Sequence, residues 1–198
     1  WTGSEMIVWG GMNTAAGALA TGGRYSPVYD TWAASSLTAG TGANVPAGRV
    51  AHSAVWTGRE MIVWGGQDAT PTMATGGRYN PTTDAWAASS LATGAGTNVP
   101  SARSIHAAVW TGREMIVWGG YDGGFSRTGG RYDPESDTWA TCSLTAGAGA
   151  GVPDGRAYVS GFWTGSEMIV WGGMKSASVA GDGGRYNPVS DSWASTSL

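Results

Sequence analysis

The sequence predicts an all-β repeat protein made of four near-identical units. Two motifs recur with a steady period: Trp-Gly-Gly, whose copies lie 55, 54 and 53 residues apart, and Gly-Gly-Arg-Tyr, which follows in the same rhythm. A further tryptophan follows each motif tyrosine by seven residues, and all 12 tryptophans fall in three slots per unit. Self-similarity at a fixed period of this length indicates a repeat architecture. The motifs begin or end at Trp9, Trp64, Trp118 and Trp171, and at Tyr25, Tyr79, Tyr132 and Tyr186.

Each unit contains four segments with strand character, which we label a to d. In the second unit, strand a is residues 52–56, strand b is residues 61–66, strand c centres on Arg78 and strand d carries Trp86. Strand b is a continuous apolar run with β-branched residues, which is typical of a strand buried on both faces. Four antiparallel strands per unit of about 54 residues predict the blade of a β-propeller.

Turn-forming residues separate these strands. Gly58 follows strand a and can adopt the positive φ of a tight turn. Pro81 ends strand c, and Asp84 closes the turn to strand d. The paired glycines Gly65 and Gly66 allow close backbone approach after strand b.

The paired glycines, the tyrosine and the tryptophan seven residues later resemble the Kelch repeat. Arg49 and His52 at the head of strand a, repeated as Arg103 and His106, also fit that family's pattern. The resemblance covers essentially the whole chain and implies one domain with repeats at approximately 1–37, 38–91, 92–144 and 145–198. It also implies that strand a is innermost. Kelch propellers serve as ligand-binding scaffolds, as adaptors and sometimes as enzymes, so function must be argued from the site.

Strand a occurs only three times, before Trp56, Trp110 and Trp163, whereas strands b, c and d occur four times. We therefore expect three complete blades and one that lacks its innermost strand. The edge of strand b in that blade would present unpaired N–H and C=O groups. Three explanations are open: a longer protein with more blades, a strand supplied by a second copy, or a small ring closed imperfectly by four blades.

Composition narrows the possible partners. The net charge of −3 and the pI near 5.2 argue against binding to nucleic acid or acidic membranes. The longest apolar runs have about five residues, far below the roughly 20 that a membrane helix needs. The single cysteine, Cys142, permits no disulfide within the chain. The abundance of Ser, Thr, Ala and Gly favours an extracellular or periplasmic bacterial protein.

The candidate binding face is the one formed by the b–c and d–a loops. The a–b and c–d turns are short and nearly invariant, whereas the b–c loops differ: residues 12–21, 67–75, 121–128 and 174–182. Variable loops on a rigid scaffold are where binding residues concentrate. The candidate side chains that do not repeat are Gln67, Asp68, Tyr121, Asp122, Phe125 and Lys175.

Three arginines at the head of strand a, Arg49, Arg103 and Arg156, are a second candidate set. A ring of guanidinium groups near the channel would suit carboxylate or other anionic ligands. The alternative is that each arginine binds main-chain carbonyls of a neighbouring blade, which repetition at a fixed slot favours.

We expect no metal and no cofactor. His52 and His106 share one slot a blade apart, Val159 fills that slot in the last unit, and no third ligand accompanies them. Cys142 replaces the Ser or Thr of the other units, and no base can be placed beside it for nucleophilic catalysis.

We expect a non-catalytic scaffold that binds a protein or carbohydrate ligand on the loop face. The first alternative is a structural subunit whose copies complete one another's blades in an oligomer or filament. The second is a carbohydrate-active enzyme, which would need non-repeated polar residues clustered near the channel.

Overall fold

The computed structural model describes residues 1–68, 71–145, 147 and 149–196, and in this part of the chain antiparallel sheets follow one another as successive blades. Three of the sheets have four strands each, hydrogen-bonded in chain order. The all-β prediction of four-stranded antiparallel blades is thus confirmed.

The first blade begins with β1 (Met6–Trp9), continues through a small hairpin of β2 (Met12–Asn13) and β3 (Gly17–Ala18), and ends with β4 (Gly22–Ser26) and β5 (Thr31–Ala33). Its main sheet has the order β1-β4-β5, so β1 occupies the place of strand b. No described strand lies on the other side of β1. Among the described residues, the main sheet of this blade therefore has three strands.

The other blades share one pattern of four strands. The second contains β6 (Ser53–Trp56), β7 (Met61–Trp64), β8 (Gly76–Asn80) and β9 (Ala85–Ala87). The third contains β10 (Ala107–Trp110), β11 (Met115–Trp118), β12 (Gly129–Asp133) and β13 (Thr138–Ala140). The fourth contains β14 (Ser160–Trp163), β15 (Met168–Trp171), β16 (Gly183–Asn187) and β17 (Ser192–Ser195).

Short helical turns follow strand d: α1 (Ser36–Ala39) and two 3₁₀ turns, Ser90–Ala92 and Ser143–Thr145. They seat Leu37, Leu91 and Leu144 in the blade interfaces, where each is at most 1% exposed. None of the described helices has the length and apolarity needed to cross a membrane.

Adjacent blades pack face to face. Ile62 and Trp64 of β7 face the third blade and pack with Met115 and Val117 of β11, and all four side chains are fully buried. Burying side chains of this size contributes about 1.5–3 kcal/mol each. The innermost strands also meet, because β10 contacts both β6 and β14.

The tryptophans show where this packing stops. Trp64 and Trp86 lie inside blade interfaces and are 0% and 4% exposed, whereas their copies Trp171 and Trp32 are 39% and 57% exposed. The interior tryptophans are therefore core residues, while the outer faces of the first and fourth blades are uncovered.

Candidate binding face

The loop face is built around the residue that directly follows the paired glycines: Gln67, Tyr121 and Met174 in the complete blades. In each blade this residue forms a two-hydrogen-bond bridge with the segment that leads into strand a, through Val50, Ser104 and Ala157 respectively. The six N–H···O distances are 2.8–3.1 Å. The backbone at this slot is therefore fixed in the same way in three successive blades.

The returning strand of each loop closes the same structure. Gln67 also bridges Thr72, Tyr121 bridges Phe125, and Met174 bridges Val179. The rings of Tyr121 and Phe125 meet edge to face, with centroids 5.9 Å apart. We name the slot residues and these loops, 67–68, 71–75, 121–128 and 174–182, the loop face.

The slot side chains differ while their backbone does not. Tyr121 is 41% exposed and Met174 is 45% exposed, and the copy of this slot in the first blade, Met12, is 70% exposed. Gln67 is partly buried because its side-chain oxygen accepts a 2.8 Å hydrogen bond from the Ser104 hydroxyl of the third blade. The slot thus presents a row of side chains across the blades, exposed at Met12, Tyr121 and Met174 and partly buried at Gln67.

The three arginines of the strand-a slot lie underneath this row. Arg103 is 0% exposed, and its guanidinium and Nε donate to the carbonyls of Ser101, Gly119 and Thr128 at 3.0, 2.9 and 2.7 Å. Arg49 makes the corresponding bonds in the second blade and Arg156 in the fourth. The carbonyls belong to the arginine's own blade rather than to its neighbour, because each arginine folds back over the loop that follows its own strand b.

Burial lowers the pKa of both Arg49 and Arg103 to about 10, so both remain charged at neutral pH. Their side chains hold the start and the end of each b–c loop together.

The acidic candidates do not converge on a common site. Asp122 accepts a 2.7 Å hydrogen bond from the Ser101 hydroxyl and lies 3.8 Å from Arg103, all within the third blade. Asp68 is exposed and makes no side-chain hydrogen bond or ion pair within the described residues.

Lys175 belongs to a charge cluster of the fourth blade. Its ammonium group lies 3.2 Å from Asp154 and 3.1 Å from Asp182, and Asp182 also lies 2.7 Å from Arg156. The bonds from Lys175 and Arg156 lower the pKa of Asp182, while the bonds to Asp182 and Asp154 raise the pKa of Lys175. Sequence comparison could have indicated this cluster, since Asp182 and Asp154 occupy the slots of Thr128 and Ser101.

Sequence reasoning missed the rim that leads into strand a. Ala51, Ile105 and Tyr158 have φ values of 54°, 55° and 55°, and the N–H of each later residue donates to the carbonyl of the previous one, at 2.9 and 3.1 Å. A left-handed conformation is unusual for a β-branched residue such as Ile105. The aromatic side chain of Tyr158 is 63% exposed beside the loop face, and no sequence pattern distinguishes this tyrosine.

The histidines are part of the packing between blades. Nε2 of His106 lies 2.8 Å from the Ser53 hydroxyl of the preceding blade, and the ring packs edge-on against Trp64. Within the described residues, no three His, Cys, Asp or Glu side chains come close enough together to hold a metal ion. Cys142 is buried in the interface between the third and fourth blades.

On the opposite face, formed by the a–b and c–d turns, equivalent clefts of about 310–380 Å³ recur between neighbouring blades. A buried or half-buried ion pair lies in each: Arg24–Glu5 at 2.8 Å, Arg78–Glu60 at 2.9 Å and Arg131–Glu114 at 2.8 Å. Residues of the repeat line these clefts, so this face is nearly uniform from blade to blade.

The profile of the KLHDC2/KLHL20/DRC7 Kelch-repeats domain matches residues 1–198, the whole chain. A comparison with curated proteins finds no match.

Proposed function

We propose that this chain, which belongs to the Kelch-repeat family, is a protein-binding scaffold that docks its partner on the loop face. Kelch domains commonly act as protein-interaction scaffolds. The face on which the partner docks is inferred from how the loops are built.

One observation carries this choice: the slot after the paired glycines combines the same backbone bridges with side chains that differ among the three complete blades. The same main-chain bridges fix Gln67, Tyr121 and Met174. A partner that meets this row therefore meets side chains held in place before binding, which lowers the entropy cost of association. The nearly uniform opposite face offers much less sequence-specific information.

The side chains on and beside the loop face favour a protein partner with apolar side chains. Tyr121, Phe125 and Tyr158 supply aromatic surface, and Met174 supplies a flexible thioether. Aromatic residues and methionine are enriched at protein interfaces, where they fill pockets of the partner. A carbohydrate-active site would need unpaired polar groups that converge, whereas Asp122 and Lys175 are each bound within their own blade.

The test is a selection of peptides displayed on phage against the 198-residue chain, followed by affinity measurements with synthetic copies of the winners. We expect the double substitution Tyr121→Ser with Met174→Ser to weaken these peptides by at least about tenfold, as for interface anchors. The matched control is Arg59→Ser with Arg113→Ser, two exposed side chains of the opposite face, and it should leave affinity unchanged.

A peptide set that binds the Tyr121→Ser, Met174→Ser protein as tightly as the unaltered protein would contradict the proposal. Loss of binding in the Arg59→Ser, Arg113→Ser control would move the binding site to the clefts of the opposite face.

A further inference from the structure

The clefts on the face of the a–b and c–d turns share one set of lining positions. The middle cleft lies between the second and third blades, and each of its lining positions has a copy in the first cleft, between the first and second blades, and in the third, between the third and fourth. Each cleft combines an arginine–glutamate pair from one blade with a tryptophan and a proline from the next. In the middle cleft these residues are Arg78, Glu60, Trp110 and Pro134.

Each of these glutamates has one carboxylate oxygen that the protein leaves unused. The arginine bonds to a single oxygen of its partner in all three pairs: Arg24–Glu5, Arg78–Glu60 and Arg131–Glu114. The other oxygen accepts no hydrogen bond from the described residues, and solvent can reach it. Each cleft therefore offers a free acceptor.

The paired arginines also retain donors. Arg24 donates from Nε and Nη2 to Glu5, and from Nη1 to the Pro81 carbonyl at 2.9 Å. The Tyr79 hydroxyl lies beside the same guanidinium. Since a guanidinium carries five N–H groups, at least one remains for a ligand. Arg131 makes the corresponding bonds in the third cleft.

The charges that line the clefts nearly balance. Five arginines and four glutamates line the three clefts: Arg24, Arg59, Arg78, Arg113 and Arg131, with Glu5, Glu60, Glu114 and Glu135. An anionic ligand would meet a glutamate in every cleft, and a cationic ligand would meet an arginine. A hydroxyl group suits both, because it accepts from a guanidinium and donates to a carboxylate. The lining therefore favours a neutral ligand that carries hydroxyl groups.

The size and the aromatic wall of each cleft fit a sugar ring. Volumes of about 310–380 Å³ lie near the lower limit of small-molecule pockets, roughly 300–1,000 Å³. Trp56, Trp110 and Trp163 each line one cleft and are partly buried. The C–H groups on the apolar side of a sugar ring can pack against the negative face of such an aromatic ring.

We propose that each of the described clefts binds one sugar ring of a neutral glycan, so that this face binds glycans at several points. The arginine donates to one hydroxyl oxygen, the glutamate accepts from a neighbouring hydroxyl, and the tryptophan contacts the apolar side of the ring. A repeated cleft suits a repeated ligand, because several weak sites on one molecule raise the overall avidity. The glycan and the protein partner would then bind to opposite faces.

The probes are glucose, galactose, mannose, fucose and N-acetylglucosamine, each as the free sugar and as a polyacrylamide conjugate. We expect the 198-residue chain to bind at least one immobilised conjugate saturably in surface plasmon resonance. The matching free sugar should bind at least about a hundredfold more weakly. A glucuronate conjugate adds a carboxylate to the ring and should not bind. Equal binding of that conjugate would contradict a neutral ligand.

NMR of the chain with ¹⁵N-labelled tryptophan locates the sites. The free sugar that matches the bound conjugate should shift the indole N–H signals of Trp56, Trp110 and Trp163 saturably. The signals of Trp64 and Trp118 should stay in place, because these indoles donate to main-chain carbonyls at 2.9 and 3.0 Å.

The variant Glu60→Gln changes the middle cleft alone. Glutamine still offers an oxygen to Nε of Arg78, so the fold should survive, but the free charged acceptor is lost. The affinity measured at Trp110 should fall by at least about tenfold, while Trp56 and Trp163 respond as before. The matched control is Glu167→Gln, the same change in the fourth blade, since Glu167 lines none of these three clefts.

Three results would each overturn the proposal: no saturable binding to any neutral conjugate, shifts confined to tryptophans outside the clefts, or an unchanged response of Trp110 in Glu60→Gln. Loss of the response at all three cleft tryptophans in Glu60→Gln would also contradict it, because the carboxylate would then act on the fold rather than on one sugar. None of these results bears on peptide binding at the loop face.

Discussion

The main-chain N–H of Ser36 donates a 2.7 Å hydrogen bond to the carboxylate of Asp84, 48 residues later in the chain and one blade further on. The Ser36 hydroxyl adds a 3.2 Å bond to the second oxygen, and the Tyr79 hydroxyl donates to the same carboxylate. Burial raises the pKa of Asp84, but these hydrogen bonds outweigh it, so that its pKa lies below the usual value. The same connection joins Ser90 to Asp137 and Ser143 to Asp191.

The substitution Asp84→Asn should weaken the hydrogen bonds between the blades and leave the turn around residue 84 intact. Asparagine tolerates the φ of 52° at this position, so the turn should survive. The loss of charge-assisted bonds to Ser36 and Tyr79 should lower the free energy of unfolding by about 1–3 kcal/mol, measured by urea denaturation.

Asp30→Asn is the matched control. Asp30 has the same φ of 52°, but within the described residues its carboxylate accepts a side-chain bond only from Tyr25, at 2.6 Å. The control should cost less than about 0.5 kcal/mol, as surface changes usually do. Equal destabilisation by the two variants would show that the link between blades contributes nothing to stability.

A second prediction concerns Gly65, which has a φ of +70°. A Cβ atom at this position would lie 2.6 Å from Cε1 of His106 and 2.9 Å from the carbonyl oxygen of Arg103. Gly65→Ala should therefore destabilise the protein by about 2–4 kcal/mol, through backbone strain and collision with the next blade.

Gly58→Ala isolates the backbone part of this effect. Gly58 has a φ of +95°, and a Cβ atom there would have no neighbour within 4 Å. We expect a cost of about 1 kcal/mol by thermal unfolding. A cost for Gly65→Ala no larger than this would mean that the blades can separate at the glycine pair without penalty.

Repetition explains why so much of the fold could be predicted. The apolar run of Met61–Trp64 and the turn residues around Gly58 and Pro81 recur in every unit, and this recurrence predicts short strands joined by tight turns. Comparison of the units also predicts which three strands the first blade contains. The direction of the arginine side chains could not be predicted in this way. Arg103 has the same spacing whether it faces the channel or its own carbonyls, and the path of the loop decides between them.

The candidate site depends even more on loop geometry. Tyr121 and Phe125 meet because their loop returns after four residues, whereas the side chains of Asp122 and Lys175 are each bound within their own blade. Tyr158 is exposed and has a left-handed backbone, a conformation that sequence does not indicate for tyrosine.

Acid should destabilise the protein through its two histidines. Burial, together with the neighbouring arginines, lowers the pKa of His52 to about 4 and that of His106 to about 3. Unfolded histidine takes up a proton near pH 6.5, so the unfolded state binds more protons than the folded state below that pH. Stability is therefore fully present above pH 6.5 and is lost as the pH falls toward 4.

The free energy of unfolding should decrease by at least about 2 kcal/mol between pH 7 and pH 4.5, since each pKa unit corresponds to about 1.4 kcal/mol. Urea denaturation at half-unit pH intervals measures it. The double variant His52→Asn with His106→Asn should show a much flatter profile over this range. An unchanged slope in that variant would assign the acid sensitivity to other groups.

Arg103 should hold the b–c loop of the third blade in its conformation. Its buried guanidinium and Nε bond to three main-chain carbonyls, including those of Gly119 and Thr128 at the two ends of the loop. Arg103→Gln leaves buried carbonyls without donors and should cost about 3–5 kcal/mol, and Arg103→Lys should not restore them, since one ammonium group cannot reproduce the planar fork. Hydrogen exchange in residues 119–128 should accelerate.

Arg113→Gln is the control for the removal of a positive charge. The Arg113 side chain is 77% exposed and its bond to Asp133 is long, at 3.4 Å, so the change should cost less than about 0.5 kcal/mol. Accelerated exchange in Arg103→Gln alone would identify Arg103 as a positioning residue beneath Tyr121. If exchange in residues 119–128 stayed slow while peptide binding weakened, the guanidinium would instead contact the ligand, as expected for an arginine ring around the channel.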